Sequence, residues 1–160
     1  MAGFSTKTFS GHNDYMTPSD AWQNIKEYIP KDKIIWEAFY GDGKSGEYLT
    51  NMGFDVIHKD IDFFNNNEGD IIITNPPFKN KNIMLERLKE LQKPFIIILP
   101  QPAINTTNIR KLFSNDLQII IPRKRIQFIK DGINKQNKCN FDCFYYCYKM
   151  DLDKDIIFLH

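Results

Sequence analysis

Short apolar runs alternate with amphipathic segments along most of this chain. The apolar runs are five to eight residues long and rich in isoleucine and aromatic residues, as buried strands are. The pattern predicts strands over 33–38, 55–59, 70–74, 94–99, 117–121, 125–129 and 141–148, and helices over 18–29, 44–52, 81–91 and 104–113. Buried strands that alternate with helices indicate an α/β fold, in which a mostly parallel sheet is covered by helices on both faces. Ligands of such sheets bind beside the carboxyl ends of the strands.

The last two predicted strands differ from the others in their connection. A polar loop through Gly132 joins 125–129 to 141–148, and this length suits a hairpin. We therefore expect the two strands to be added antiparallel at one edge of the sheet.

The tetrapeptide Asn75-Pro76-Pro77-Phe78 follows directly after the apolar run 70–74. Neither proline has an N–H for a strand ladder, so the pair forms a stiff corner with two fixed carbonyl groups. The Asn75 amide oxygen and the Pro76 carbonyl can accept the two N–H groups of an exocyclic amine, while Phe78 stacks on the ring that carries it. This arrangement aims the nitrogen lone pair at an electrophile. A plain strand-to-loop corner with a surface aromatic residue is the alternative interpretation of the tetrapeptide alone.

Three glycines, Gly41, Gly43 and Gly46, lie within six residues in the turn after the first strand. Such a turn lets the backbone approach a ligand closely. One interpretation is a phosphate loop, because Ala38, four residues and then Gly-Lys-Ser fit a relaxed Walker A pattern. A phosphate loop also needs an acidic residue at the end of a neighbouring strand to hold magnesium. Here that strand ends in Asn-Pro-Pro, and Glu37 would repel a triphosphate, so we favour a different cofactor.

These motifs resemble those of the S-adenosylmethionine-dependent amino-methyltransferases, whose signature is Asn/Asp/Ser-Pro-Pro-Phe/Tyr. The resemblance spans residues 14–149. It implies a Rossmann-like class I methyltransferase fold. The order of an upstream Tyr-x-Thr-Pro motif, the glycine loop and the tetrapeptide is similar to that of phage and viral adenine-N6 enzymes, whose closing hairpin resembles 123–128 followed by 140–142.

The resemblance implies a role for each matching position. In the family the tetrapeptide is catalytic, the loop contacts the methionine part of S-adenosylmethionine, and an acid after the second strand binds the ribose hydroxyls. The implied catalytic residues are Asn75, Pro76, Pro77 and Phe78, and the implied cofactor-binding residues are Tyr15, Thr17, Pro18, Glu37, Phe39, Gly41, Gly43 and either Asp60 or Asp62. The expected reaction is methylation of an exocyclic amine, with adenine N6 of DNA or RNA as the favoured acceptor.

The chain departs from the family in one region. Only seven residues separate Asp62 from Asp70, so the usual third strand and its helix are expected to be deleted or merged. The sequence also has no insertion large enough for a target-recognition domain. We therefore expect substrate selection to be weak or to depend on a second subunit or a homodimer.

Charge is unevenly distributed along the chain despite a net charge of +1. Residues 1–70 carry 6 Lys/Arg and 12 Asp/Glu, whereas residues 71–160 carry 15 and 8. The acidic half suits a ligand with a cationic centre and ribose hydroxyls, and the basic half suits phosphates. The expected contacts with the substrate backbone are Lys79, Lys81, Arg123, Lys124 and Arg125. A solubilising cluster on an edge strand is the alternative for the last three.

Length and composition predict a single domain over residues 1–160. With 42% hydrophobic and 14% aromatic residues, the chain can bury a substantial core and is not a disordered sequence. No run approaches the ~20 apolar residues of a membrane span, and the N-terminus lacks the hydrophobic region of a signal peptide. We therefore expect a protein of the cytoplasm, or of the cytosol or nucleus of a host cell, that is not secreted.

Three cysteines recur every four residues, at 139, 143 and 147. On a strand this spacing places all three thiols on one face, so we expect reduced, core-facing cysteines and no metal site.

Other functional classes remain open on the sequence. A non-catalytic subunit with this fold would bind nucleic acid without binding the cofactor, and a small phosphate-loop nucleotidase would bind ATP with magnesium. A protein glutamine methyltransferase is a further alternative, although those enzymes more often carry Tyr after the two prolines.

Overall fold

A seven-stranded sheet forms the centre of the protein in the computed structural model, which describes residues 15–130, 133–134 and 141–160. The strands of the described chain are β1 (Tyr15–Met16), β2 (Ile34–Trp36), β3 (Asp55–Ile57), β4 (Ile71–Thr74), β5 (Phe95–Pro100), β6 (Leu117–Ile121), β7 (Ile129–Lys130), β8 (Ile133–Asn134), β9 (Cys143–Tyr148) and β10 (Ile156–Phe158). The order in the main sheet is β10-β6-β9-β5-β4-β2-β3, and β1, β7 and β8 form a second, small sheet. All strands of the main sheet run parallel except β9.

The sheet is buried on both faces, because successive strand residues enter two different hydrophobic clusters. Along β5, for example, Ile96 and Ile98 pack on one side and Ile97 and Leu99 on the other. The helices are α1 (Ser19–Gln23), α2 (Lys44–Asn51), α3 (Lys81–Leu91) and α4 (Thr107–Phe113). Residues of α1 and α2 join the first cluster and residues of α3 and α4 join the second. The expected α/β fold with helices on both faces is therefore confirmed.

Two predicted helices are shorter than the sequence pattern suggested. The segment 18–29 forms α1 and then a separate 3₁₀ turn over Lys26–Tyr28. The helical backbone is interrupted at Ile25 (φ −114°, ψ 11°), and the turn ends where Ile29 is extended before Pro30. The segment 104–113 is divided at Thr106, whose hydroxyl accepts a hydrogen bond from the Ile109 N–H and caps α4. The prediction for α3, at 81–91, is confirmed residue for residue.

The C-terminal antiparallel part is present, but its position differs from the expected edge hairpin. Strand β9 lies between β5 and β6 and is antiparallel to both. Its residues Tyr145 to Tyr148 are all buried, which an edge strand would not allow. The segment 125–129 does not pair with β9. Only its last residue enters a strand, in β7, which pairs with β1 and β8.

Cys143 and Cys147 face the same hydrophobic cluster, as predicted for the thiols on this strand. Burial raises the pKa of the Cys147 thiol to about 12, so it stays protonated. Cys139 lies outside the described residues, as do Asp14, Gly132 and Asn140, on which other parts of the sequence interpretation rested.

A short loop, residues 63–69, stands where the methyltransferase family has a further strand and helix. Strand β3 is therefore an edge strand of the main sheet. The Arg87 guanidinium donates to the Asn66 carbonyl at 3.0 Å. The Lys93 ammonium donates to the carbonyls of Glu68 and Gly69, both at 2.7 Å. These bonds attach the loop to α3 and to the residues that follow it. Within the described ranges, no helix is long and apolar enough to cross a membrane.

Candidate active site

Four separate segments meet at the carboxyl ends of the parallel strands. The tetrapeptide follows β4, the glycine loop follows β2, and β1 lies against both of them. The fourth segment is the start of β9. Because β9 runs antiparallel to the other strands, its first residue, Cys143, pairs with Pro100 at the carboxyl end of β5. The structure thus brings together the Tyr-x-Thr-Pro motif, the glycine loop and the tetrapeptide. The first and last of these are 60 residues apart in the chain.

Asn75 lies at the centre of this group. Its side-chain nitrogen points at the backbone carbonyl of Tyr15, 3.5 Å away. Its side-chain oxygen is buried and has no hydrogen-bond partner among the described residues. A buried acceptor without a partner is costly unless a ligand supplies the donor. The Tyr15 carbonyl therefore orients the amide so that its oxygen is available to an incoming N–H group.

Aromatic rings surround the corner. Phe78 meets Phe141 edge-to-face, with ring centroids 5.8 Å apart. Phe141 in turn stacks on Phe128 at 5.9 Å and meets the Tyr15 ring at 5.7 Å. Phe78 and Phe141 are only half-buried. These contacts hold the Phe78 ring beside the tetrapeptide and leave part of the aromatic surface exposed to an acceptor.

The glycine loop requires glycine at two positions. Gly41 has φ +62° and Gly43 has φ +84°, conformations that side chains disfavour. A Cβ on Gly41 would lie 3.1 Å from the Met16 sulfur, and one on Gly43 would lie 2.7 Å from the Tyr40 hydroxyl. The loop therefore packs closely against β1 and against its own tyrosine. Thr17 and Pro18, which follow β1, are buried beside it.

Glu37 is fully buried at the start of the loop. Its carboxylate accepts hydrogen bonds from the hydroxyls of Ser45 and Thr74 and from the Phe39 N–H, the last at 3.1 Å. Burial raises its pKa to about 7, and these hydrogen bonds oppose the rise only in part. Because Thr74 immediately precedes Asn75, the Glu37 network joins the glycine loop directly to the tetrapeptide.

The remaining implied cofactor residues differ in their surroundings. The Phe39 ring is buried against Phe63, with centroids 4.9 Å apart. The Asp62 carboxylate accepts from the Phe64 N–H at 3.0 Å and from the Asn65 side chain, so it caps its own turn. Asp60 lies just before this turn, after β3. Tyr40 of the loop stacks on His58 at 6.2 Å, which brings the end of β3 next to the glycine loop.

The same loop is poorly arranged for a phosphate group. The Asp42 carboxylate accepts a hydrogen bond from the Lys44 N–H at 3.0 Å, at the start of α2 where a phosphate would bind. The Ser45 hydroxyl, which would bind magnesium in a phosphate loop, donates to Glu37 instead and accepts from the Trp22 indole at 2.8 Å. Two carboxylates therefore already bind the Lys44 N–H and the Ser45 hydroxyl, which a phosphate loop would use for the triphosphate and its metal.

The expected substrate contacts divide into two groups. Lys79 and Lys81 follow the tetrapeptide directly, and Lys79 is exposed. Arg123 and Lys124 are exposed after β6, three strand positions away from β4, or about 15 Å. Arg125 forms a two-pronged ion pair with Asp142, at 3.0 and 3.1 Å, and this hydrogen bonding lowers the pKa of the Asp142 carboxyl.

Sequence reasoning gave no site role to several residues of this region. Ser45 and Thr74 bind Glu37 across 8 and 37 residues of chain, and no local pattern marks such pairs. For Phe128 and Phe141 the sequence did give an indication, because both lie in segments that resemble the closing hairpin of the adenine enzymes. The expectation concerned pairing of strands, whereas the structure brings the two rings together beside Phe78.

Comparisons with known proteins do not identify a family for this chain. No family model matches the chain, and no curated protein matches it. A solved structure from Listeria monocytogenes, described as a "putative class I S-adenosylmethionine-dependent methyltransferase", has a TM-score of 0.47 and is 12% identical. The alignment covers 92% of this chain, which spans 66% of the length of that protein. Function therefore has to be argued from the site itself.

Proposed function

We propose that this protein is a methyltransferase that uses S-adenosylmethionine and methylates an exocyclic amine, with adenine N6 in a nucleic acid as the acceptor. The observation that carries the proposal is the Asn75 amide. Its nitrogen points at the Tyr15 carbonyl, and its buried oxygen has no partner among the residues that the structure describes. The glycine loop and the half-buried ring of Phe78 lie at the same end of the sheet. An acceptor for an N–H group, a stacking surface and a cofactor loop are the three parts that such a reaction requires.

The residues around the loop fit S-adenosylmethionine. Gly41, which has positive φ, leaves exposed backbone in the loop where a ligand would approach. Acidic residues follow two adjacent strands: Glu37 comes after β2, and Asp60 and Asp62 come after β3. Glu37 is buried and bound by Ser45 and Thr74, so it would shape the loop that receives the cofactor. An acid after β3 would bind the ribose hydroxyls. Either Asp60 or Asp62 would bind the ribose, and Asp62 also caps its own turn. The bound cofactor would supply an electrophilic methyl group.

The protein's contribution to catalysis would be alignment and charge placement. An adenine amine is a weak nucleophile because its lone pair is delocalised into the ring. Hydrogen bonds from the amine to the Asn75 oxygen and the Pro76 carbonyl favour a pyramidal nitrogen that gains positive charge. These bonds are stronger in the transition state than in the ground state, so they accelerate the reaction rather than merely bind the substrate. Phe78, held by Phe141, fixes the plane of the base.

The acceptor base must leave a duplex stack to reach this corner. The described chain contains no inserted helix or ribbon that could read base edges in a groove. Stacking on Phe78 and attraction between phosphates and Lys79 or Lys81 tolerate most sequences. We therefore propose weak sequence preference on single-stranded or loosely paired nucleic acid, unless a second subunit provides recognition.

Calorimetric titration should detect binding of S-adenosylmethionine and S-adenosylhomocysteine but not of magnesium-ATP. Gly43→Ala should weaken cofactor binding, because the added Cβ would lie 2.7 Å from the Tyr40 hydroxyl and displace that side chain beside the loop. Gly53→Ala is the matched control: its φ is +100°, so it carries a similar backbone strain, but nothing lies within 4 Å of the new Cβ. ATP binding that Lys44→Ala removes, without any cofactor binding, would support a phosphate loop and overturn the proposal.

Binding to single-stranded oligonucleotides should weaken steeply as salt concentration rises. Replacing both Lys79 and Lys81 by alanine should make the plot of log binding constant against log salt concentration less steep. Its slope should change by up to about 1.4, because each phosphate contact on a single strand contributes about 0.7. The control pair Lys31→Ala and Lys33→Ala removes the same charge just before β2, at the amino-terminal end of the parallel strands. It should leave the slope nearly unchanged. Equal effects of both pairs would show that these lysines act only through net charge.

A further inference from the structure

The outer edge of the main sheet is the three-residue strand β10. The Asp155 carbonyl accepts from the Ile119 N–H at 2.8 Å, and the Leu159 N–H donates to the Ile121 carbonyl at 3.0 Å. Because backbone groups alternate in direction along a strand, those of Ile156 and Phe158 point away from β6. Within the described chain, no strand pairs with this side of β10.

The side chains of the same two residues are the most exposed large hydrophobic groups of the described chain. The exposed fractions are 55% for Ile156 and 61% for Phe158. Ile157, between them, packs against the hydrophobic cluster on the other face of the sheet. Edge strands with exposed apolar side chains invite pairing with another strand.

The two ends of β10 carry opposite charge. The turn before the strand contains Asp151, Asp153 and Asp155 with a single lysine between them. The residues after β6 include the exposed Arg123 and Lys124, which lie beside the far end of β10 because Phe158 pairs with Ile121. An antiparallel copy of this edge would bring acidic end to basic end, whereas a parallel copy would oppose like charges.

We propose that β10 is a dimer interface at which two copies of this chain pair antiparallel about Ile157. In this register Ile156 of one copy opposes Phe158 of the other, and the two residues exchange both backbone hydrogen bonds. The twofold axis repeats every contact, giving two apolar cross-strand pairs and two contacts between an acidic and a basic end. Both copies use the same edge, so the assembly closes as a dimer with one continuous sheet.

Sedimentation velocity over a range of protein concentrations tests the dimer. The wild-type chain should pass from monomer to dimer as concentration rises. Phe158→Lys should weaken association about tenfold or more, because the twofold axis applies each substitution twice. Ile104→Lys is the matched control: this side chain is 41% exposed but belongs to a 3₁₀ turn after β5. A monomer at every concentration, or a dimer that persists in Phe158→Lys, would overturn the proposal.

Charge reversal tests the orientation independently. Asp153→Lys with Asp155→Lys should weaken the dimer, and so should Arg123→Glu with Lys124→Glu. Combining all four substitutions in one chain should restore association, because the attraction is then reversed at both ends. Restored association supports the antiparallel arrangement, and failure to restore it contradicts that arrangement. A thermal melt of each variant confirms that these exposed substitutions leave the fold intact.

Discussion

Replacing Asn75 by alanine is expected to reduce methyl transfer by two to three orders of magnitude while cofactor affinity changes only a few-fold. The side chain would contact the acceptor amine, and the loss of one preorganised partner in a transition state costs ~3–4 kcal/mol. Single-turnover transfer of a labelled methyl group to an adenine-containing oligonucleotide measures the first quantity, and calorimetry with S-adenosylhomocysteine measures the second.

Two further variants make this result specific. Asn75→Asp keeps an oxygen acceptor and should retain more activity than the alanine variant. Asn82→Ala removes an exposed asparagine from α3, seven residues further along, and should behave as wild type. If Asn75→Ala keeps most of the activity, the tetrapeptide is only a structural corner and the proposed chemistry is wrong.

The stability of the protein is expected to fall as pH rises from about 4.5 to about 7, because of Glu37. Burial raises the pKa of this carboxyl from 4.5 in its ordinary setting to about 7 in the folded chain. Between these two pKa values the folded state keeps a proton on Glu37 that the unfolded state has lost. The contribution of Glu37 to the free energy of unfolding is therefore complete below the unfolded-state pKa and is lost as pH rises through the folded-state pKa. The loss is on the order of 3 kcal/mol at most.

Glu37→Gln should remove this part of the pH dependence, because the amide has no proton to lose in that range and keeps one oxygen acceptor for the network. Denaturant unfolding at a series of pH values measures the effect. Glu47→Gln changes an exposed carboxyl on α2 and serves as the control, with the wild-type profile expected. A Glu37→Gln profile that runs parallel to wild type would show that Glu37 does not titrate in this interval.

The sequence predicted β4 and β5 well, because each is buried on both faces and reads as a continuous apolar run. The position of β9 could not be predicted in the same way. Alternating side chains identify a strand, but they do not say which neighbours it pairs with, and a polar loop of hairpin length suggested the wrong pairing. Strand β10 was missed, although its three residues, Ile156–Phe158, are all apolar.

The candidate site was predictable where its residues form local motifs. The tetrapeptide and the glycine loop could be identified by residue type and spacing, and the structure brings them within contact of β1, although their roles stay predictions. The Glu37 network and the aromatic group could not be identified in this way. Their members come from segments far apart in the chain, so their contacts depend on how the sheet assembles rather than on any nearby pattern.

The central position of β9 affects how the chain can fold during synthesis. A ribosome releases β5 and β6 before β9, yet β6 is joined to β5 and the rest of the sheet only through β9. Until residues 143–148 emerge, the growing chain carries two unpaired strand edges where the finished protein has its centre. Phe141 lies just before this segment, so the acceptor side of the site forms late in synthesis. Such an intermediate exposes the surfaces on which chaperones act and from which aggregation starts.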